Sequence, residues 1–143
     1  TGYNGDERFQ VVAASDPVDE ALNSFCGRYD IAGRYTDARK MLDEEALDVI
    51  SICTWHKLHA PMTIAAAVSG VKAILCEKPM SDTTGSAADM MLVCRRNGVK
   101  LAIGHQRRFL PAYNLAKQMI EDGSVVEFLR ENKNISIEKK PIF

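Results

Sequence analysis

Apolar and polar positions follow two rhythms along the chain. Short, nearly unbroken apolar runs recur, and each is followed by a longer stretch with apolar residues three and four apart. The first run, residues 9–16 (FQVVAASD), predicts a strand ending at Asp16. Asp16-Pro17 reads as an N-cap followed by proline at the first helical position, and residues 18–29 then place Val18, Ala21, Leu22 and Phe25 on one helical face. A short extended piece near Arg34 and Tyr35 leads to Thr36, a cap for a helix over 37–43. Residues 47–54 (LDVISICT) predict a strand so continuously apolar that both its faces should be covered. A helix over 60–70 stops at Gly70, and residues 71–77 (VKAILCE) form the next strand. Ser81 or Asp82 caps a helix over 83–98, whose arginines Arg95 and Arg96 suit the negative end of the helix dipole. Residues 99–105 (VKLAIGH) form a further strand, and a helix runs from Pro111 to Gly123. From Val125 the rhythm becomes alternation (VVEFLRENKNISI), which predicts a strand of a different kind.

Strands alternating with helices imply βαβ units, right-handed crossovers and a parallel sheet. The fold class is therefore α/β, a Rossmann-like doubly wound sheet. Polar residues gather at the carboxyl end of each run: Asp16, Thr54 to His59, Glu77-Lys78, and His105 to Arg108. Parallel strands bring such ends to one rim, where ligands bind in folds of this class.

Composition narrows the partners. The net charge of −1 gives no reason to expect nucleic acid or an acidic membrane surface. No apolar run reaches membrane-spanning length. The cysteines Cys26, Cys53, Cys76 and Cys94 form no C-x-x-C pair and stand at no metal-site spacing from a histidine. They read as small buried hydrophobes in a reducing, cytoplasmic setting, and no metal site is expected.

The rim residues offer specific chemistry. Asp16 could accept both hydroxyls of an adenosine ribose, which favours NAD over NADP, or it could serve only as a helix cap. Thr54, Trp55, His56 and His59 leave a strand in a loop before a helix, a setting that suits a nucleotide better than a metal. Lys78 precedes a proline, which pushes it into extended geometry and off the following helix. Its ammonium could hold a substrate hydroxyl, with Glu77 orienting it, although a minor surface ion pair is the plainer alternative. Gly104 permits a close approach, and Arg107 or Arg108 could bind an anion bidentately.

The segment 48–123, with EKP at 77–79 followed roughly a helix later by G-x-x-R-R-F at 104–109, resembles the glucose–fructose oxidoreductase/inositol dehydrogenase (Gfo/Idh/MocA) family. The likeness extends from about Phe9 to Gly123. It implies NAD(P)-dependent hydride transfer on a sugar, polyol or related hydroxy compound. It also implies a role for Lys78 beside nicotinamide and substrate, and cofactor contacts from Asp16, Thr54, Trp55, His59, Glu77, Lys78 and Arg107. The family's T-P-N-x-x-H stretch corresponds to Thr54 through His59, with Trp55 and His56 in place of proline and asparagine. The family's first strand and its G-x-G-x-x-G turn have no counterpart in this chain. Of the second, substrate-binding α/β domain only a start is expected. The implied division is a partial dinucleotide-binding domain over 1–124 and the beginning of a substrate domain over 125–143. The chain is thus expected to be an excerpt of a longer enzyme and to bind NAD weakly or not at all by itself, and open strand edges could pair copies into homo-oligomers. A non-catalytic binding or scaffold subunit is the alternative reading.

Overall fold

The computed structural model describes residue 3 and residues 5–131, with side chains omitted at 126 and 128–130. The chain packs as two compact units, Thr1–Gly104 and His105–Phe143. The expected division after residue 124 falls within the second of these units.

The first unit alternates as the sequence pattern requires: β1 (Ala13–Ser15), α1 (Asp19–Tyr29), β2 (Gly33–Tyr35), α2 (Ala38–Glu44), β3 (Val49–Ile52), α3 (His56–Val68), β4 (Ala73–Cys76), α4 (Thr84–Arg96) and β5 (Lys100–Ile103). All strand pairs are parallel, but they form two sheets, β1-β2 and β3-β4-β5. Helix α2 packs against β1 and β2 and also against α3, and Leu42 of α2 belongs to the larger core. The Tyr3 hydroxyl lies 2.7 Å from the Ser51 hydroxyl, a second link between the N-terminal region and β3.

Two cores follow from this division. The smaller consists of Leu22, Cys26 and Ile31, with Val11, Ala14 and Tyr29 against it. The larger joins Ile52, Ile74 and Cys76 of the sheet to Ala66, Ala67, Met90 and Cys94 of α3 and α4. Burial in the three-stranded sheet alternates strictly. Ile52, Ile74 and Cys76 are buried, whereas Val49, Ser51, Leu75 and Ala102 are exposed. Register explains the pattern, because Ser51, Leu75 and Ala102 align across the strands and share a face. The expectation that β3 is covered on both faces is therefore corrected among the described residues: the helices α3 and α4 pack against one face, and on the other, which the Tyr3 hydroxyl reaches at Ser51, no helix packs.

Helix starts also differ from the sequence reading. The N-caps are Val18, Asp37 and Thr83, rather than Asp16, Thr36 and Ser81 or Asp82. Asp37 and Thr83 cap because their oxygens reach the amides of Arg39 and Ser86. Asp16 lies too early for that role; Val18 is extended, and the Asp16 carboxylate accepts its N–H at 2.8 Å. Helix α3 begins at His56, four residues before the expected start at residue 60, and so contains Pro61 in its second turn. Gly70 follows α3 at φ 99°, a conformation that L side chains rarely adopt.

The second unit holds a 3-10 helix at Gln106–Phe109, α5 (Pro111–Glu121) and α6 (Ser124–Glu131). The alternation from Val125 forms helix as far as Glu131, not strand. Asp122 accepts from the Ser124 amide and hydroxyl, and the Glu127 amide donates to Gly123, so the local bonding starts a helix. The pattern itself, with Val125, Phe128 and Leu129 three and four apart, fits either period. Residues 132–137 of that expected strand lie outside the described residues.

Candidate functional site

Parallel pairing sets the exits of β3, β4 and β5 side by side. The Glu77 amide donates to the Ile52 carbonyl at 2.9 Å, and the Gly104 amide donates to the Cys76 carbonyl at 2.8 Å. The sheet therefore ends in a short step of three adjacent chain segments: Cys53-Thr54, Glu77-Lys78 and Gly104.

Glu77 fits into this step with little room. A Cβ on Gly104 would meet Glu77 Oε1 at 3.2 Å, Cδ at 3.3 Å and Oε2 at 3.4 Å. The glycine thus leaves space for the carboxylate, an approach of side chain to backbone that the sequence suggested only in general terms. Glu77 Oε2 also accepts from the Lys78 amide at 3.2 Å. Lys78 itself is exposed, and the bond to Pro79 is cis. Lys78 lies in the bend that follows β4, outside both that strand and α4.

The exit of β3 carries three features. Thr54 is exposed. Trp55 is the N-cap of α3, 78% exposed, and makes no side-chain capping bond. The first turn of α3 contains no acidic residue to offset the positive end of its dipole, and the Leu58 amide donates to the Trp55 carbonyl at 2.7 Å. A helix end of this kind suits an anion or a polar ligand group.

Cys53 is the residue that sequence reasoning missed. Three cysteines are buried, as expected, but Cys53 is exposed immediately after β3. Partial burial pushes its thiol above the ordinary range, and the Glu77 carboxylate adds to the effect. Burial likewise raises the Cys76 thiol. The run VISICT concealed the exposure, because β3 ends one residue before Cys53.

His56 and His59 stand inside α3, not in a loop as expected. His59 is 1% exposed, with Nδ1 2.7 Å from the Pro79 carbonyl oxygen and Nε2 3.0 Å from that of Thr54. Its ring is turned to the backbone of the step. Asp16 follows β1 in the other sheet, half-buried, with its amide donating to the Tyr35 carbonyl at 3.1 Å. Arg107 lies in the 3-10 helix of the second unit and is exposed. The structure thus brings together Thr54, Trp55, His59, Glu77 and Lys78, places Asp16 at the end of a separate parallel pair, and puts Arg107 in a different unit. Among the described residues no group of three His, Cys, Asp or Glu side chains could hold a metal, and no helix is long and apolar enough to cross a membrane.

A parallel α/β unit with polar groups at its strand exits is shared by many nucleotide-binding proteins, so family membership needs more than the fold. Residues 2–105 match the model of an oxidoreductase family with an NAD-binding Rossmann fold. The chain belongs to the Gfo/Idh/MocA oxidoreductase family. Relatives within it include D-apiose dehydrogenase of Paraburkholderia graminis, 34% identical over 81% of this chain and 31% of that protein. NADP(+)-dependent D-xylose 1-dehydrogenase of Haloarcula marismortui is 37% identical over 88% of this chain and 32% of its own length. Among solved structures, the WlbA dehydrogenase of Bordetella pertussis, in complex with NADH and UDP-GlcNAcA, aligns with a TM-score of 0.78 at 26% identity. That alignment covers 85% of this chain and 36% of the WlbA chain. The chain therefore spans about a third of the length of these Gfo/Idh/MocA relatives. One of these relatives is named for NADP and another was crystallised with NADH, so the comparisons do not choose between the two forms.

Proposed function

We propose that the longer enzyme is an NAD(P)-dependent oxidoreductase of the cytoplasm that transfers hydride to or from a sugar, polyol or related hydroxy compound. The observation carrying this reading is the three-segment step, in which Glu77 is lodged against Gly104 and Lys78 stands exposed beside it. The bound nicotinamide would accept or supply the hydride. Lys78 would hold the reacting hydroxyl and help with its proton. Glu77 would orient the Lys78 segment through the amide bond at 3.2 Å. Thr54 and Trp55 would line the cofactor beside the unneutralised start of α3, and Asp16 would hold the adenosine ribose, which favours NAD because a 2′-phosphate would be repelled. Arg107 would be a secondary contact. The residues present fit the two ends of a dinucleotide, and no Gly-rich turn in this chain supplies a pyrophosphate cradle.

Isotope-labelled chain titrated with NADH tests the reading. The expected result is weak binding, with amide signals of Thr54, Glu77, Lys78 and Gly104 moving together and those of α4's far end unmoved. Shifts scattered over the surface, or none at millimolar NADH, would refute it, and micromolar affinity would contradict the expected weakness. In the longer enzyme, Lys78→Ala should abolish most turnover while cofactor affinity stays; unchanged turnover removes the lysine from the mechanism.

A further inference from the structure

His59 and Thr63 are the buried polar residues of the described chain. The His59 ring faces two carbonyl oxygens, each able only to accept. The neutral ring has one N–H and satisfies one carbonyl at a time; the doubly protonated ring donates to both. Thr54 leaves β3, and Pro79 follows Lys78. The ring therefore spans the exit of one strand and the turn that leaves its neighbour. The backbone ties Glu77 to Ile52, but Pro79 has no N–H, and it is His59 that meets the Pro79 carbonyl. An apolar ring of similar size would fill the space and supply no donor.

We propose that His59 is a positioning residue, a cross-brace that fixes the Glu77-Lys78-Pro79 turn against the exit of β3. The proposal rests on the reading of this step as the nicotinamide end of the site. It assigns His59 to holding the side chains that act there, not to touching the ligand.

Cys53 supplies a reporter, since it is exposed, adjoins Thr54 and senses the Glu77 charge. In the intact chain, His59→Phe should keep the fold by circular dichroism yet release the turn. Cys53 should then react with a thiol reagent at least about twofold faster at pH 8, because a carboxylate drawn away no longer opposes the thiolate. Amide signals of Glu77, Lys78 and Gly104 should shift while those of β1 and β2 stay. His59→Gln, which keeps one donor, should recover part of the wild-type behaviour. A folded His59→Phe chain with the wild-type Cys53 pH–rate profile and unmoved signals overturns the proposal. Should His59→Phe not fold, the wild-type ring decides. Through-hydrogen-bond coupling from a ring nitrogen to the Thr54 or Pro79 carbonyl carbon supports the brace, and coupling to neither overturns it. No readout uses cofactor, so a chain that passes these tests and never binds NADH defeats the cofactor reading alone.

Discussion

Two glycines in the first unit should respond to the same substitution with opposite signs. Gly33 pairs with Ala13 in the β1-β2 register. A Cβ there would meet Ala13 Cβ at 2.8 Å, Glu45 Oε1 at 2.8 Å and the Val12 carbonyl oxygen at 2.9 Å. The carboxylate can swing aside, but the strand cannot: the Gly33 amide donates to that same Val12 carbonyl at 3.1 Å, so retreat costs a hydrogen bond. Overpacking of this kind costs about 1–3 kcal/mol. At about 4–8 °C per kcal/mol for a unit of about 100 residues, Gly33→Ala should lower the melting temperature by about 4–24 °C. Gly27 lies inside α1, exposed, with nothing within 4 Å of an added Cβ. There the substitution removes backbone freedom from the unfolded chain and should stabilise by about 0.5–1 kcal/mol, or about 2–8 °C. Far-UV circular dichroism melts of both variants suffice. A Gly33→Ala chain that melts with or above wild type would refute the close contact, and parallel shifts in both variants would refute the reasoning as a whole. The outcome bears on the site, because β1 and β2 hold Asp16 through the Tyr35 carbonyl.

Other expectations follow from single contacts. The Tyr35 hydroxyl donates to Glu45 Oε1 at 2.8 Å, and this bond, with the nearby Glu45 and Glu44 charges, pushes the phenol up to about 12. The folded chain then holds this proton longer than the unfolded one, so the contribution is full below pH about 10 and fades as pH rises through about 12. Glu45→Gln should bring the Tyr35 titration down, read by NMR of the ring carbons; an unchanged midpoint counts against the bond. Ile74, 1% exposed in the central strand, should cost about 2–5 kcal/mol on truncation to alanine, measured by urea unfolding, and a loss below about 1 kcal/mol would mean the core collapses around the gap. Lys72 lies 2.6 Å from Asp48, but the side chains are 80% and 72% exposed, so Lys72→Met should leave the unfolding midpoint nearly unchanged, within about 0.5 kcal/mol.

The strands were legible because each apolar run is short, β-branched and bounded by polar residues; β3, β4 and β5 fall inside the stretches that the pattern marked. Caps were less legible, since Asp16, Thr36 and Ser81 are as suitable chemically as Asp37 and Thr83, and geometry alone selects among them. The start of α3 at His56 was hidden because its N-cap, Trp55, makes no side-chain capping bond, while the exposed Pro61 is tolerated in the second turn. At the site, EKP announced Glu77 and Lys78 directly. The His59 contacts could not be read, because both partners are backbone carbonyls, one of them twenty residues away. Cys53 was hidden by one residue of strand length. The open sheet face was hidden for a related reason: an apolar run records what a strand can bury, not what comes to cover it.

That uncovered side has a consequence for handling the protein. Val49 and Leu75 remain 38% exposed there, with Ala102 beside Leu75 in register. Whatever lies down on these side chains, another segment or another molecule, gains hydrophobic free energy that the isolated strands leave unused. Melting temperature should accordingly climb with protein concentration if copies meet on that side, and stay level if they do not.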